Sequence, residues 1–413
     1  MKKAGILLSI AAAVLSACVA KVPMVSNLFS TAASMDSRQE YVRYQNRFAE
    51  NNGIVYFENS YSMIGEKADL MMYCELSTGI SGPLCGKPEC THDNPDCNAY
   101  IGYNSENDSI MPDGLFVYDG RLYYTIMRTI EKEGEGLYLY SMALDGTGRK
   151  TEMKLGDFAK NRFPNQNNKS LMHRGYFFMC GGTPYIRDGE WVQREMLSVW
   201  SLKTQEKMVL FEWEDPRPGR ITYSYIQAFQ DQLYYLLTFP EEKDENKTEY
   251  SLQLYKVELS TLSMEKLFEG TAAFEVREMR VTDSEIWISD AKGIVYQFDF
   301  KEGTLRMCFP MADEEEETGR VYFSEGIAYC FTRNDRDEQF FTVRDPEGNE
   351  LTHQMIRDKV SSYIRFNLGN DSENVYVYYS AVEPDVLGYL HKLVSYRIKD
   401  GEEKTLWLRK AEE

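Results

Sequence analysis

The chain has 413 residues and a formal net charge of −19, with 46 Lys and Arg set against 65 Asp and Glu. That balance argues against a nucleic-acid partner, because an acidic protein gains nothing from counterion release at phosphates. With 43% hydrophobic residues and Tyr 29, Phe 21 and Trp 5 among them, there is ample material for a packed core.

Met1 is followed by Lys2 and Lys3 and then by an uncharged run from Ala4 to Ala17. This basic-then-apolar order predicts a secretory signal peptide over residues 1–17, too short for a stable membrane-spanning helix. Leu15-Ser16-Ala17-Cys18 resembles the lipobox of bacterial lipoproteins. The resemblance implies cleavage before Cys18, lipidation of its thiol, and a mature charge of −21 once Lys2 and Lys3 are removed. The competing reading is an ordinary signal peptide that leaves a free cysteine. Two or more acyl chains on Cys18 would anchor the chain stably, which places it on the extracytoplasmic face of the cell membrane. Residues 18–40 read as the lipidated Cys and a flexible tether, and residues 41–413 as one domain. No other stretch approaches transmembrane length.

The first structural unit starts at Ile54 to Phe57, continues through a second aromatic strand and ends at the turn Ser77-Thr78-Gly79. Directly after it comes Leu84-Cys85-Gly86-Lys87-Pro88-Glu89-Cys90-Thr91-His92, continued to Cys97. Gly86, Pro88 and Pro95 keep this segment out of regular structure, which assigns it to the outer strand's end and the interblade connection. The spacing C-x4-C-x-H-x4-C offers four soft or borderline ligands, enough for a tetrahedral structural zinc. Cys74, on the preceding strand, is an alternative fourth ligand. Disulfides among these residues are the competing reading for an exported domain. With Cys18 set aside, seven Cys remain, an odd number that leaves at least one thiol free. Cys180, Cys308 and Cys330 sit in apolar surroundings and read as buried core thiols. The segment Leu84 to His92, with Cys97-Asn98-Ala99-Tyr100, resembles exported lipoproteins of anaerobic Firmicutes that carry a Leu-Cys-x-Lys-Pro-Glu-Cys-x-His segment before propeller repeats. That resemblance implies a surface lipoprotein, brings no catalytic residues, and favours metal over disulfide in such a host.

Six further units follow. Their first elements are Arg121 to Thr125, Gly175 to Met179, Gln232 to Leu236, Glu285 to Ile288, Gly326 to Phe331 and Asn374 to Tyr379. Their turns include Asp145-Gly146, Lys203-Thr204, Ser260-Thr261, Lys301-Glu302-Gly303, Pro346-Glu347-Gly348 and Lys399-Asp400-Gly401, where Gly and Asp tolerate positive φ. A turn-to-turn spacing of roughly 40 to 70 residues predicts an all-β fold, a β-propeller of seven four-stranded blades, with six or eight as alternatives. The Thr271 to Pro310 unit is short, the first unit's innermost strand is unclear in the sequence, and Gln39 to Phe48 is a candidate for closing the ring. Tyr123-Tyr124 and Tyr234-Tyr235 are assigned to packing between blades rather than to a stacking surface.

In such a ring, the strand two-to-three connections and the interblade connections share one face. The former are Tyr61 to Ala68, Thr129 to Gly136, Gly181 to Glu195, Phe239 to Tyr250, Arg333 to Gln339 and Ala381 to Gly388. Glu241, Glu242, Asp244 and Glu245 make one of them acidic, which favours a cationic or polar neutral protein or glycan ligand. The run Asp313 to Glu317 lacks a calcium-loop pattern and reads as a solvated loop. No hydrolase elbow, zincin or phosphate-loop motif occurs, and His173, His353 and His391 are scattered. The leading expectation is a non-catalytic binding or scaffold module displayed by the Cys18 anchor. The alternatives are a glycosidase-like hydrolase with carboxylates at the central channel and an envelope or solute sensor.

Overall fold

In the second strand of each repeat the side chains alternate between two sheet faces, and both faces are apolar. A sheet of that kind buries itself only between two others. The computed structural model describes residues 38–39, 48–59, 69–102, 114–130, 134–157, 169–182, 185–215, 222–244, 247–282, 285–313, 316–324, 326–356, 364–370, 373–383 and 388–409. Among them there is no helix. They form seven antiparallel sheets, each built from one contiguous stretch of chain apart from a short addition to the fourth. The second strands are Ile54–Asn59, Arg121–Ile130, Tyr176–Gly182, Gln232–Asp244, Glu285–Asp290, Ile327–Asn334 and Asn374–Glu383, one in each blade.

The inner strands are Phe48–Asn51, Leu115–Tyr118, Lys169–His173, Tyr223–Phe229, Val276–Val281, Tyr322–Ser324 and Ile364–Asn370. Each lies beside the next, and Phe48–Asn51 also lies beside Ile364–Asn370, which closes a seven-bladed β-propeller. Blade one's inner strand is therefore Phe48–Asn51, and among the described residues no strand is shared between the first and last blades. Most of Gln39 to Phe48, the candidate closing segment, lies outside the described residues. Arg38–Gln39 pairs instead with blade four.

The aromatic doublets behave as doublets on a two-faced sheet must. Tyr124 packs with blade one's core and Tyr123 with blade three's, while Tyr234 faces blade five and Tyr235 blade three. Burial of one such ring contributes at most about 3 kcal/mol, against about 0–1 for an exposed ion pair. Side-chain packing between blades therefore dominates over the many surface pairs.

Two details differ from expectation. The Asp313 to Glu317 run is not wholly a solvated loop, since Glu316–Thr318 pairs with Thr332–Asn334 at the inner edge of blade six. Glu316 faces His353 at 3.4 Å there. Cys308 is only half-buried, because its strand, Thr304–Pro310, is the outer one of blade five; Cys180 and Cys330 are buried as expected. The short fifth unit is a complete blade whose second and third strands join through a tight turn at Ala291–Gly293.

Antiparallel connectivity puts the strand two-to-three and interblade connections on one face, the loop face. The strand one-to-two and three-to-four turns lie on the other, the turn face. The three-to-four turns also reach the preceding blade. Gly146, at φ +83°, is pressed against the Leu84 carbonyl of blade one's outer strand. Gly120, at φ +68°, has open space around it. Gly146→Ala is expected to cost at least about 2 kcal/mol in urea unfolding, and Gly120→Ala about 1. Equal costs would show that the turn does not bear on the neighbouring blade.

Candidate metal centre

Blade one's outer strand is interrupted. Ser81–Pro83 pairs with Met72–Cys74, and Tyr100–Gly102 pairs with Asp69–Leu70 of the same partner strand. Between the two pieces, Met71 accepts from the Leu84 amide at 2.8 Å and donates to the Ala99 carbonyl at 2.7 Å. Residues 85–98 are thus spliced into the strand at a single residue, and the expected position at the strand's end is corrected to its middle.

The excursion is folded by its own polar groups. Asn94 accepts from the Cys97 amide through its carbonyl and from the Asp96 amide through Oδ1, both at 3.0 Å. Thr91 Oγ1 donates to Asp93 Oδ1 at 2.5 Å, and Lys87 Nζ donates to the Asp96 carbonyl. Glu89 and His92 adopt left-handed φ values of 61° and 60°, which curl the chain back on itself. Blade two holds the outside: Arg149 donates to the Pro95 carbonyl at 3.2 Å and to the Tyr100 carbonyl. Because Gly146 contacts Leu84 from a three-to-four turn, the knuckle lies on the wall between blades one and two, toward the turn face.

This fold brings Cys85, Cys90, His92 and Cys97 together, with one ligand atom from each inside a group no wider than 4.8 Å. His92 Nδ1 and Cys97 Sγ are 3.2 Å apart. Tetrahedral zinc with metal–sulfur bonds of 2.3 Å would need ligand separations of roughly 3.5–3.8 Å, so small side-chain adjustments suffice. Cys74 is not in the group; it is buried in blade one's core, and burial raises its thiol to about 11. All seven described cysteines are free thiols.

The electrostatics favour one thiolate and oppose a second. Burial would raise Cys85, but the amides of Lys87 and Asn98 and the thiols of Cys97 and Cys90 outweigh it and bring its pKa down. Cys97 is pushed up to about 12, first by desolvation and then by the neighbouring Cys90 and Cys85, against an amide from Ala99. A divalent cation reverses that opposition, because its charge is the largest in the site. The donor set and its spacing fit zinc.

The other buried carboxylates have structural partners. Glu278 pairs with Arg320 between blades five and six. Asp290 accepts the Lys292 and Ile294 amides at 2.8 Å. Glu195, on blade three's third strand, accepts from Thr222 and from Gln193 Nε2 at 3.2 Å, and is only 1% exposed. His173 is buried against the Gln230 carbonyl at 2.6 Å, and His353 stacks on Phe340. His391 lies on blade seven's third strand, apart from these. Among the expected loops, Tyr61 to Ala68 lies outside the described residues. Glu241, Glu242 and Asp244 are not loop residues but one arm of a hairpin that pairs Asp244 with Lys247.

No protein-family pattern matches this sequence, and no curated protein does. Among solved structures, the chain is similar to the computationally designed protein Ika8 at 12% identity and a TM-score of 0.46, over 89% of this chain and 88% of that one. It is similar to prolyl oligopeptidase B from Galerina marginata at 11% and 0.49, over 97% of this chain but 55% of that one. A third is Sqt1 of Saccharomyces cerevisiae, at 9% and 0.43, over 90% and 87%. These scores are all below 0.5, and the blade count stands on the strand pairing alone. Strand pairing and the ligand group together define a seven-bladed β-propeller with a Cys3His knuckle in its wall.

Glu195 carries a testable electrostatic cost. Burial lifts its carboxyl from the usual 4.5 to about 7, against hydrogen bonds from Thr222 and Gln193 and the nearby Lys169. The folded chain then keeps a proton that the unfolded chain releases between these values, so stability is lost as pH rises from 4.5 toward 7. Glu195→Gln is expected to flatten that decline and to gain up to about 3 kcal/mol at pH 8 in urea unfolding. An unchanged pH slope would assign the dependence to another group.

Proposed function

We propose that the chain is exported, lipidated at Cys18 and held on the extracytoplasmic face of the cell membrane, where it acts as a non-catalytic binding or scaffold module. Its wall is stapled by one structural zinc at Cys85, Cys90, His92 and Cys97, and its loop face meets a protein or glycan ligand. The convergence of those four ligand atoms within 4.8 Å carries the metal part of this reading. With four protein ligands a zinc is coordinatively closed, which suits a structural role and leaves no position for substrate. It would lock the excursion onto blade one at Met71 and hold the surface that Arg149 of blade two grips.

Binding rather than hydrolysis is supported by the structural partners of Glu278, Asp290 and Glu195, and by the raised hairpins of the loop face. Blade three projects Tyr185–Arg187 against Glu190–Val192 through an Asp188-Gly189 turn, whose φ values of 52° and 86° suit a two-residue hairpin. Ile186 at its side is 52% exposed, and Arg187 pairs with Glu214 at 2.5 Å. Blade four carries a hairpin of its own, Gln232–Asp244 against Lys247–Glu258. Such arms on a rigid ring are a ready recognition surface.

Elemental analysis of the full chain, purified in detergent with reductant, tests the metal. About one zinc per chain is expected, falling to near zero in Cys85→Ser and His92→Ala. Chelation should lower unfolding stability by roughly 4 kcal/mol relative to a thousandfold excess of metal over its Kd. Absence of metal, together with a parallel preparation without reductant that shows two fewer titratable thiols than the seven left by lipidation of Cys18, recovered only on reduction, would replace the zinc by a disulfide.

A further inference from the structure

Blades five and six do not close completely on one another. The joint between them holds a cavity of about 170 Å³. Its floor is aromatic: Trp287 of blade five's second strand, Phe309 of that blade's outer strand and Phe323 of blade six's inner strand, all buried. Arg280, on blade five's inner strand, pairs in register with Trp287, and its Nη1 donates to the Phe323 carbonyl at 2.9 Å, so the guanidinium ties the two blades together along the cavity wall. The less buried lining residues all lie in or beside turns of the turn face. Thr282 and Glu285 flank blade five's strand one-to-two turn, and Asp345 and Pro346 begin blade six's three-to-four turn, so the mouth opens on that face.

Two carboxylates stand at that mouth, and both are held in place. Glu285 Oε1 accepts from Trp287 Nε1 at 2.9 Å, which fixes it beside the indole. Asp345 accepts Asn349 Nδ2 at Oδ2 and the Asn349 amide at Oδ1, both at 2.8 Å, and these bonds hold its carboxyl below the ordinary range, so it is charged at neutral pH. A carboxylate oxygen has more than one acceptor position, so each group has capacity for a further donor without losing these bonds. The lining sets one guanidinium, that of Arg280, against these two acids. An anion would have to pass both carboxylates to reach Arg280, whereas a cation meets them first. The aromatic floor suits a cation as well, because the ring quadrupole is negative over its face. An apolar cavity of roughly 150 Å³ holds one benzene, so the space here suits a single ring or a short stem rather than a peptide or a sugar chain.

We propose that this cavity is a binding site for a small organic ammonium ion, its apolar body among Trp287, Phe309 and Phe323 and its charge at Glu285 and Asp345. The site opens on the turn face, away from the loop face and from the ligand group of blade one, and it depends on neither the metal nor the anchor. Because both blades line it, a bound amine also bridges their joint, alongside the Glu278–Arg320 pair. The side-chain ammonium of a lysine on another protein shares this chemistry, but its backbone must stay outside so narrow a cavity, which favours the free amine.

Benzylamine is the probe, with uncharged benzyl alcohol and anionic benzoate beside it, each titrated into the full chain in detergent at neutral pH and followed by ligand-observed NMR. Benzylamine is expected to saturate one site, with benzyl alcohol at least about threefold weaker and benzoate at least about tenfold weaker. Asp345→Asn keeps an acceptor for the Asn349 amide; it is expected to weaken benzylamine by about threefold and to leave benzyl alcohol unchanged. Ile327→Trp, at the mouth, is expected to abolish saturable binding, with urea unfolding to show that the ring is intact. Benzoate binding as tightly as benzylamine would overturn the cationic ligand and assign the cavity to the Arg280 charge. Failure of benzylamine to saturate, or binding that neither substitution alters, would overturn the site. A short lysine peptide blocked at both ends that binds more tightly than benzylamine would overturn the free amine in favour of a protein side chain.

Discussion

Every blade depends on a constraint that a sheet with two apolar faces imposes: it has no side to show to water. Tyr123 and Tyr124, adjacent in sequence, bury their rings in the cores of different joints. Phe177 and Phe178 of blade three are likewise adjacent and fully buried, the former against Phe116 of blade two at 6.0 Å. A sheet that needs neighbours on both sides makes the closed ring the stable arrangement, because an open stack would leave two apolar faces wet.

The knuckle uses the one place where that demand relaxes. Outer strands face solvent along their free edge and are mostly exposed or half-buried, as in Thr304–Pro310 and Lys207–Asp215. An outer strand can be cut and resumed without opening the core, provided its partner's backbone groups find other takers. Here the Leu84 amide and the Ala99 carbonyl together satisfy Met71. Leu84, Cys97, Ala99 and Tyr100 remain in the core on either side of the cut. The half-buried Cys85, Cys90 and His92 meet the buried Cys97 at the margin of that core.

Legibility in the sequence followed burial. The second strands and the turns before the outer strands were readable because doubly buried strands give dense aromatic and β-branched runs and tight turns demand Gly or Asp. Inner strands were not, since pieces as short as Phe48–Asn51 and Tyr322–Ser324 hold too few residues to show a period. The ligand set Cys85, Cys90, His92 and Cys97 was readable as chemistry, and its separation from Cys74 was not, because the two sheet faces differ by one residue of register. Arg149 and Met71 gave no signal at all: an arginine after a turn and a methionine in a strand acquire their roles only when the excursion returns to meet them. Asp313 to Glu317 misled for a related reason, since charge density alone does not show that Glu316 has a histidine waiting across the sheet.

Because the four strands of each blade are contiguous in sequence, no described strand clasps the last blade to the first. Six of the ring's joints are bridged by the chain itself, while the seventh, between blades seven and one, is held by side chains such as Phe57 against Tyr378 at 5.9 Å and by the Gly79 turn lying on the Leu406 carbonyl. Separation at that joint stretches no direct chain connection and, among the described strands, sacrifices no shared ladder. Breathing of the ring, and with it the exchange of otherwise sheltered amides, therefore concentrates at this seam, which is the hinge line along which the circle would open into an arc.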